Sequence, residues 1–213
     1  MLVKRAIKKI ISLFIVSFIF ICMFPTNVFA MDAVSTEIAI PIQIQTEPVY
    51  SITINTATEQ LVVYDEQNLP VKVFSCSTGL KGNTYLGTYK TSDYYDWRAL
   101  YGGVWGRYAV RFNGSELMHS VPYFKKSVDS LEYEEYNKLG TPASAGCCRL
   151  AVADAKWIYE NTKSGTVVNV IYDPNIVYEL TRPNILIDVN NIAIRGWDPT
   201  DTDINSPYNQ IIK

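Results

Sequence analysis

Between Ser51 and Ser120 the chain breaks into short apolar or alternating segments, each closed by turn chemistry. That punctuation admits strands and little else. SITIN from Ser51 alternates apolar and polar residues, LVVYD from Leu61 is a short apolar run, and VKVFSCSTG ends at Gly79. EQNLP, between the second and third, has the residues of a turn, so these two strands are expected to form a hairpin. GTYKT, RYAVRF and ELMHS continue the series, and TVVNVIYD closes it before Asp173-Pro174. The period changes once. In LAVADAKWIYENTKSGT, Ala151, Ala155 and Ile158 share one helical face with Ala153 and Trp157 beside them, and Gly165 follows Lys163 as a stop. Fifteen Tyr and eight Phe among 213 residues lean the same way as the strand pattern. The expected class is mostly β, a β-rich α+β fold with one helix.

The N-terminus reads as a targeting segment. Lys4, Arg5, Lys8 and Lys9 precede an apolar run broken by Pro25, and Val28, Phe29 and Ala30 supply a cleavage site. The run is short for a membrane span, which needs about 20 residues. Phe20 and Ile21 before Cys22 are wrong for a lipoprotein signal. The expected organisation is a signal peptide over 1–30, a linker over 31–48, a catalytic domain over 49–173 and a C-terminal extension over 174–213. The extension is expected to pack briefly on the domain and end in a loose tail, GWDPTDTDINSPYNQ. A secreted, wall-associated protein follows, touching membrane only through its signal peptide. A net charge of −2 gives no electrostatic footprint for nucleic acid. A single histidine and no CxxC spacing leave too few ligands for a metal, and there is no phosphate loop, so no cofactor is expected.

Removal of the leader would leave Cys76, Cys147 and Cys148. An odd count outside the cytosol suggests a free reactive thiol, although all three also suit buried apolar positions. Cys147 stands in Ser144, Ala145, Gly146, Cys147, Cys148, Arg149, Leu150, directly ahead of the helical pattern. A cysteine at a helix N-terminus has its thiolate favoured. Arg149 adds fixed positive charge, Gly146 permits a tight turn, and the turn's N–H groups suit an oxyanion. The same residues also fit a buried Cys-Cys pair in an ordinary strand-to-helix turn.

SAGCCRL resembles the active-site signature of the YkuD-type L,D-transpeptidases: Ser/Thr, any residue, Gly, Cys, an apolar residue, then Arg or Asn. The upstream Met118, His119, Ser120 resembles the family's histidine segment. Ser77–Gly79, the TYLGTY segment from Thr84 to Tyr89, and DAKWIYEN followed by GTVV also resemble the family, over roughly residues 50 to 173. The resemblance implies a β-sandwich or barrel with one helix directly after the catalytic cysteine. It assigns Cys147 as nucleophile and His119 as base, with Gly146, Cys148, Arg149 and Ser120 ordering the site or its oxyanion hole. Ser144, Tyr108 and Trp105 are expected to line the donor cleft.

The implied reaction is attack by Cys147 on the bond between the third and fourth residues of a peptidoglycan tetrapeptide stem. D-Ala leaves, and the acyl group passes to a neighbouring stem as a 3→3 cross-link, or to water. Carbapenem β-lactams are the implied inhibitors. Three departures stand out. Ala145 replaces a histidine found in many members. The family's Thr-Pro is Thr84-Tyr85. The interval from His119 to Cys147 is long and contains VPYFKKSVDSLEYEEYNK, expected to be a surface excursion or a lid. Two other assignments compete. A sortase-like transpeptidase is disfavoured because Arg149 follows Cys147 so closely. A non-catalytic wall-binding domain would pair Cys76 with Cys148 or Cys147 in a disulfide.

Overall fold

A computed structural model describes residues 49–211; the expected signal peptide and nearly all of the linker lie outside them. Nine strands form one sheet. They are β1 Ser51–Asn55, β2 Gln60–Tyr64, β3 Pro70–Ser77, β4 Gly87–Lys90, β5 Tyr94–Ala99, β6 Trp105–Asn113, β7 Glu116–Ser120, β8 Cys148–Leu150 and β9 Val167–Ile171. Their order is β4-β9-β1-β2-β3-β8-β7-β6-β5. Neighbours pair antiparallel except β1 with β9 and β7 with β8. The sheet curls into a half-barrel, so that Tyr89 on β4 meets Phe112 on β6 edge-on at 6.0 Å. Helices α1 Tyr133–Tyr136, α2 Val152–Asn161 and α3 Tyr208–Ile211 complete the elements.

The alternation in SITIN places Ile52 and Ile54 wholly inside. Leu61, Val63, Phe74, Val168 and Val170 join them, and α2 delivers Ala155 and Ile158 to the same core. Each buried Ile or Leu contributes about 1.5–3 kcal/mol. Trp157 leaves the other flank of α2 to pack on Tyr50 and Phe74. The hairpin expected around EQNLP is the β2–β3 pair. Strand β5 lay outside the sequence expectation because YYDWRA carries no clean alternation. It is an edge strand, bonded only to β6, with no buried residue.

Two expectations are corrected. The interval after His119 is not a surface excursion: Val121, Tyr123, Leu131 and Tyr136 are buried there and form a second core. Nor is the C-terminal segment a loose tail. Ile187 closes that second core, Gly196 O accepts the Leu131 N–H at 2.8 Å, and the side chain of Asn137 holds both the N–H and the carbonyl of Ile187. Further along, Asp198 and Ser206 have no exposure and Asp201 pairs with Arg107 at 3.0 Å. The inserted segment and the extension cover each other.

Candidate active site

In the parallel pair β7–β8, Met118 faces Cys148 and His119 faces Arg149. Because strand side chains alternate, Met118, Cys148 and Leu150 turn into the main core, while Leu117, His119, Cys147 and Arg149 line a cavity of about 810 Å³ on the other side. Ser144, Ala145, Gly146, Glu116, Tyr85, Arg98 and Tyr101 also line it. The neighbouring pair of cysteines is thus divided by the pleat, one to each face. Cys76, Cys147 and Cys148 are all free thiols, which removes the disulfide required by the wall-binding alternative.

Cys147 does not sit at the start of α2. Strand β8 intervenes, and the first N–H groups of the helix are already taken: Val152 N–H by Asp198 Oδ2 at 2.8 Å and Ala153 N–H by Thr200 Oγ1 at 3.1 Å. The expected stabilisation of a thiolate by the helix end is therefore corrected. Burial pushes the Cys147 thiol up, opposed by the Leu117 backbone hydrogen bond to the sulfur. Burial likewise lowers His119 to about 4, against the raising effect of its bond to Ser120, with Arg149 lowering it further. At neutral pH the two groups rest as thiol and neutral imidazole.

His119 is held by one short contact, Nδ1 to the Ser120 carbonyl at 2.5 Å. A carbonyl can only accept, so Nδ1 carries the proton and Nε2 keeps a lone pair for use as a base. Ser120 thus acts through its main chain. Its hydroxyl accepts from Arg107 N at 2.9 Å and donates to Val121 O at 2.8 Å. Gly106 on β6 makes room for the ring: a Cβ there would stand 2.9 Å from His119 Nδ1. The sequence reading missed Gly106, although a glycine inside a strand pattern is a signal of close approach.

The loop before Cys147 is tied at both ends. Ser144 Oγ accepts the Gly146 N–H at 3.0 Å and donates to Cys147 O at 2.6 Å. Thr84 Oγ1 accepts from Gly79 N and donates to Gly146 O, each at 2.8 Å. Gly146 has φ of +155°, where a Cβ would press on Asn83 O at 3.1 Å. With its N–H occupied, Gly146 is not an oxyanion donor; the Cys147 N–H has no partner among the described residues. Arg149 Nη1 reaches Ala143 O at 3.1 Å and Glu135 Oε2 at 2.5 Å, which ties the inserted segment to the site.

Three expected site residues lie elsewhere. Cys148 is in the core beside Cys76. Tyr108, with a left-handed φ of +52°, contacts Tyr159 of α2 at 5.5 Å, on the helix side of the sheet. Trp105 packs on the second core and bridges to Tyr123. Neither aromatic lines the cavity. Among the described residues no group of His, Cys, Asp and Glu is placed to hold a metal.

The curled sheet thus presents a thiol and an oriented imidazole to one cavity. Residues 49–170 match the family model described as the YkuD L,D-transpeptidase catalytic domain, and the chain belongs to that family. This also displaces the sortase-like alternative. YciB of Bacillus subtilis strain 168, whose name assigns it provisionally to the L,D-transpeptidases, is 48% identical over 56 residues, 26% of this chain and 28% of that protein. The match therefore spans little more than a quarter of that relative. The solved L,D-transpeptidase from Mycobacterium smegmatis has a TM-score of 0.49 at 16% identity, covering 58% of each chain. L,D-transpeptidase 3 from Mycobacterium tuberculosis, solved with a faropenem-derived adduct, has a TM-score of 0.44 at 18% identity, covering 58% of this chain and 60% of its own.

Proposed function

We propose that this chain is a secreted, wall-associated L,D-transpeptidase that forms 3→3 cross-links between peptidoglycan stem peptides through an acyl group on Cys147. The observation that carries this assignment is the tautomer of His119, fixed by Ser120 O so that Nε2 is a base in the cavity that holds the Cys147 thiol.

The resting pair is neutral, so proton transfer accompanies attack. Cys147 Sγ–H passes its proton to His119 Nε2 as the sulfur adds to the carbonyl carbon of the third residue. The imidazolium that forms is stabilised by the Ser120 carbonyl. His119 then protonates the departing nitrogen of D-Ala, and the thioester remains. General acid–base catalysis of this kind is worth about 10²- to 10⁴-fold. In this reading the Cys147 N–H serves as an oxyanion donor, and one such donor is worth about 10²- to 10³-fold. Attack by the side-chain amine of a second stem gives the cross-link; attack by water gives a carboxypeptidase. The leader over residues 1–30 supports secretion.

The test is acylation by a carbapenem, read by intact-protein mass. One adduct is expected on the wild type and on Cys148→Ala, and none on Cys147→Ala. An adduct that survives Cys147→Ala would refute the nucleophile. Incubation with a disaccharide tetrapeptide, with the products identified by mass, decides between cross-linking and trimming.

A further inference from the structure

Glu116 is a charge that the reaction scheme above does not use. It opens β7, is 6% exposed, and lines the cavity within electrostatic reach of Cys147. Its Oε2 accepts Asn113 Nδ2 at 2.9 Å and its Oε1 accepts the Tyr85 N–H at 3.3 Å, a long bond. That second donor exists because Tyr85 stands where the family pattern has proline. Both donors are neutral, and no Lys or Arg pairs with Glu116 among the described residues. Of the three cations of the cavity wall, Arg149 pairs with Glu135, Arg111 pairs with Asp93, and Arg98 lies over the Tyr95 ring. Burial pushes the Glu116 carboxyl up, with the Asn113 and Tyr85 bonds opposing. A buried carboxylate without a counter-charge is costly. A glutamine would avoid that cost and keep one of the two hydrogen bonds, with its amide nitrogen facing the other donor unless the Asn113 amide turns over.

We propose that Glu116 is the binding group for the ammonium of the acceptor amine, a primary aliphatic ammonium that docks on the carboxylate beside the Cys147 thioester. The assignment rests on the transpeptidase reading above and names its second substrate subsite. Two positions support acceptor over donor. Leu117, whose backbone bonds the Cys147 sulfur, is the next residue along β7, and Glu116 itself acts electrostatically on that thiol. A Cβ on Gly146 would stand 3.6 Å from Glu116 Oε1, so the bare glycine leaves the space before the carboxylate open. The proton count closes. The ammonium gives one proton to Glu116, and the neutral amine adds to the thioester carbon. As the C–S bond breaks, a second proton passes through His119 Nε2 to the sulfur, the third stays on the amide nitrogen, and Glu116 releases its proton to water.

The test compares two traps of the acyl-enzyme formed by the full chain from a tetrapeptide donor. Methylamine is a cation near neutral pH, and hydroxylamine is uncharged. The ratio of methylamide to hydroxamate product is measured by mass in wild type and Glu116→Gln. A hydrogen bond to a charged group is worth about 1.5–3 kcal/mol, so the ratio should fall about tenfold or more in the variant. An unchanged ratio overturns the assignment, including the case where both products fall together, which marks a structural brace. Wild-type protein that yields neither product refutes the transpeptidase reading and this subsite with it.

Discussion

Gly106→Ala should disable the proposed base, His119, without removing any side chain. Ordinary van der Waals contact begins near 3.4 Å, and the new Cβ would stand 2.9 Å from His119 Nδ1 and 3.1 Å from its Cγ and from Leu100 Cδ1. The ring, with Leu100 packed on the other side of the new methyl group, must give way by about half an ångström. It is pinned by the 2.5 Å bond to Ser120 O, so the movement lengthens or misdirects that bond. A misplacement of 1 Å costs about 10²-fold in rate, so about 10- to 100-fold is expected for carbapenem acylation and for D-Ala release. Overpacking costs about 1–3 kcal/mol, which for a domain of this size lowers the melting temperature by about 2–4 °C per kcal/mol. Stopped-flow acylation rates with melting curves on the same preparation separate the two effects. A variant that melts a few degrees early but acylates at the wild-type rate would show that the ring does not act from the position it occupies.

Three shorter expectations follow from the same geometry. With His119 as the proposed base and its pKa lowered to about 4 by burial, acylation should rise with pH through about 4 and be level by 6.5; a half-maximum near 6.5, measured in a constant-ionic-strength buffer series, would contradict the buried setting. Thr84→Val leaves Gly79 N–H and Gly146 O without their shared partner, and an unsatisfied buried group costs about 1–3 kcal/mol; denaturant melts should show that loss, and acylation should slow as the Cys147 loop loosens. Truncation after Asp173 removes Ile187, Asp198 and Asp201 from the interior, so the shortened chain should expose Leu131, Tyr123 and Tyr136 and bind a hydrophobic dye; native-like melting of that fragment would count against the packing described.

The sequence was readable where one residue and its near neighbours decide the outcome. Strand β1, with its clean period, follows from alternation alone, and α2 follows from its change of period. That His119 and Cys147 would line one cavity was an expectation the lone imidazole already prompted. What escaped depends on partners far along the chain. YYDWRA is a strand only because β6 lies beside it. The placement of Cys147 ahead of a helix suggested an activated thiolate, yet β8 and Asp198, some fifty residues away, decide what that helix end touches. Tyr108 was misjudged because its ring packs on Tyr159 of α2, a partner some fifty residues away.

The likeness shared with the family ends at residue 170, yet the apolar interior continues through Ile187, and Asp198 is sealed beyond it. Through Glu135, that outer half also grips Arg149 at the cavity that holds Cys147. Two pieces that look like separate ornaments therefore behave as a buttress and its footing: neither has a reason to stay folded alone. A minimal enzyme trimmed to the shared boundary would lose not an appendage but the brace that keeps one wall of its reaction chamber upright.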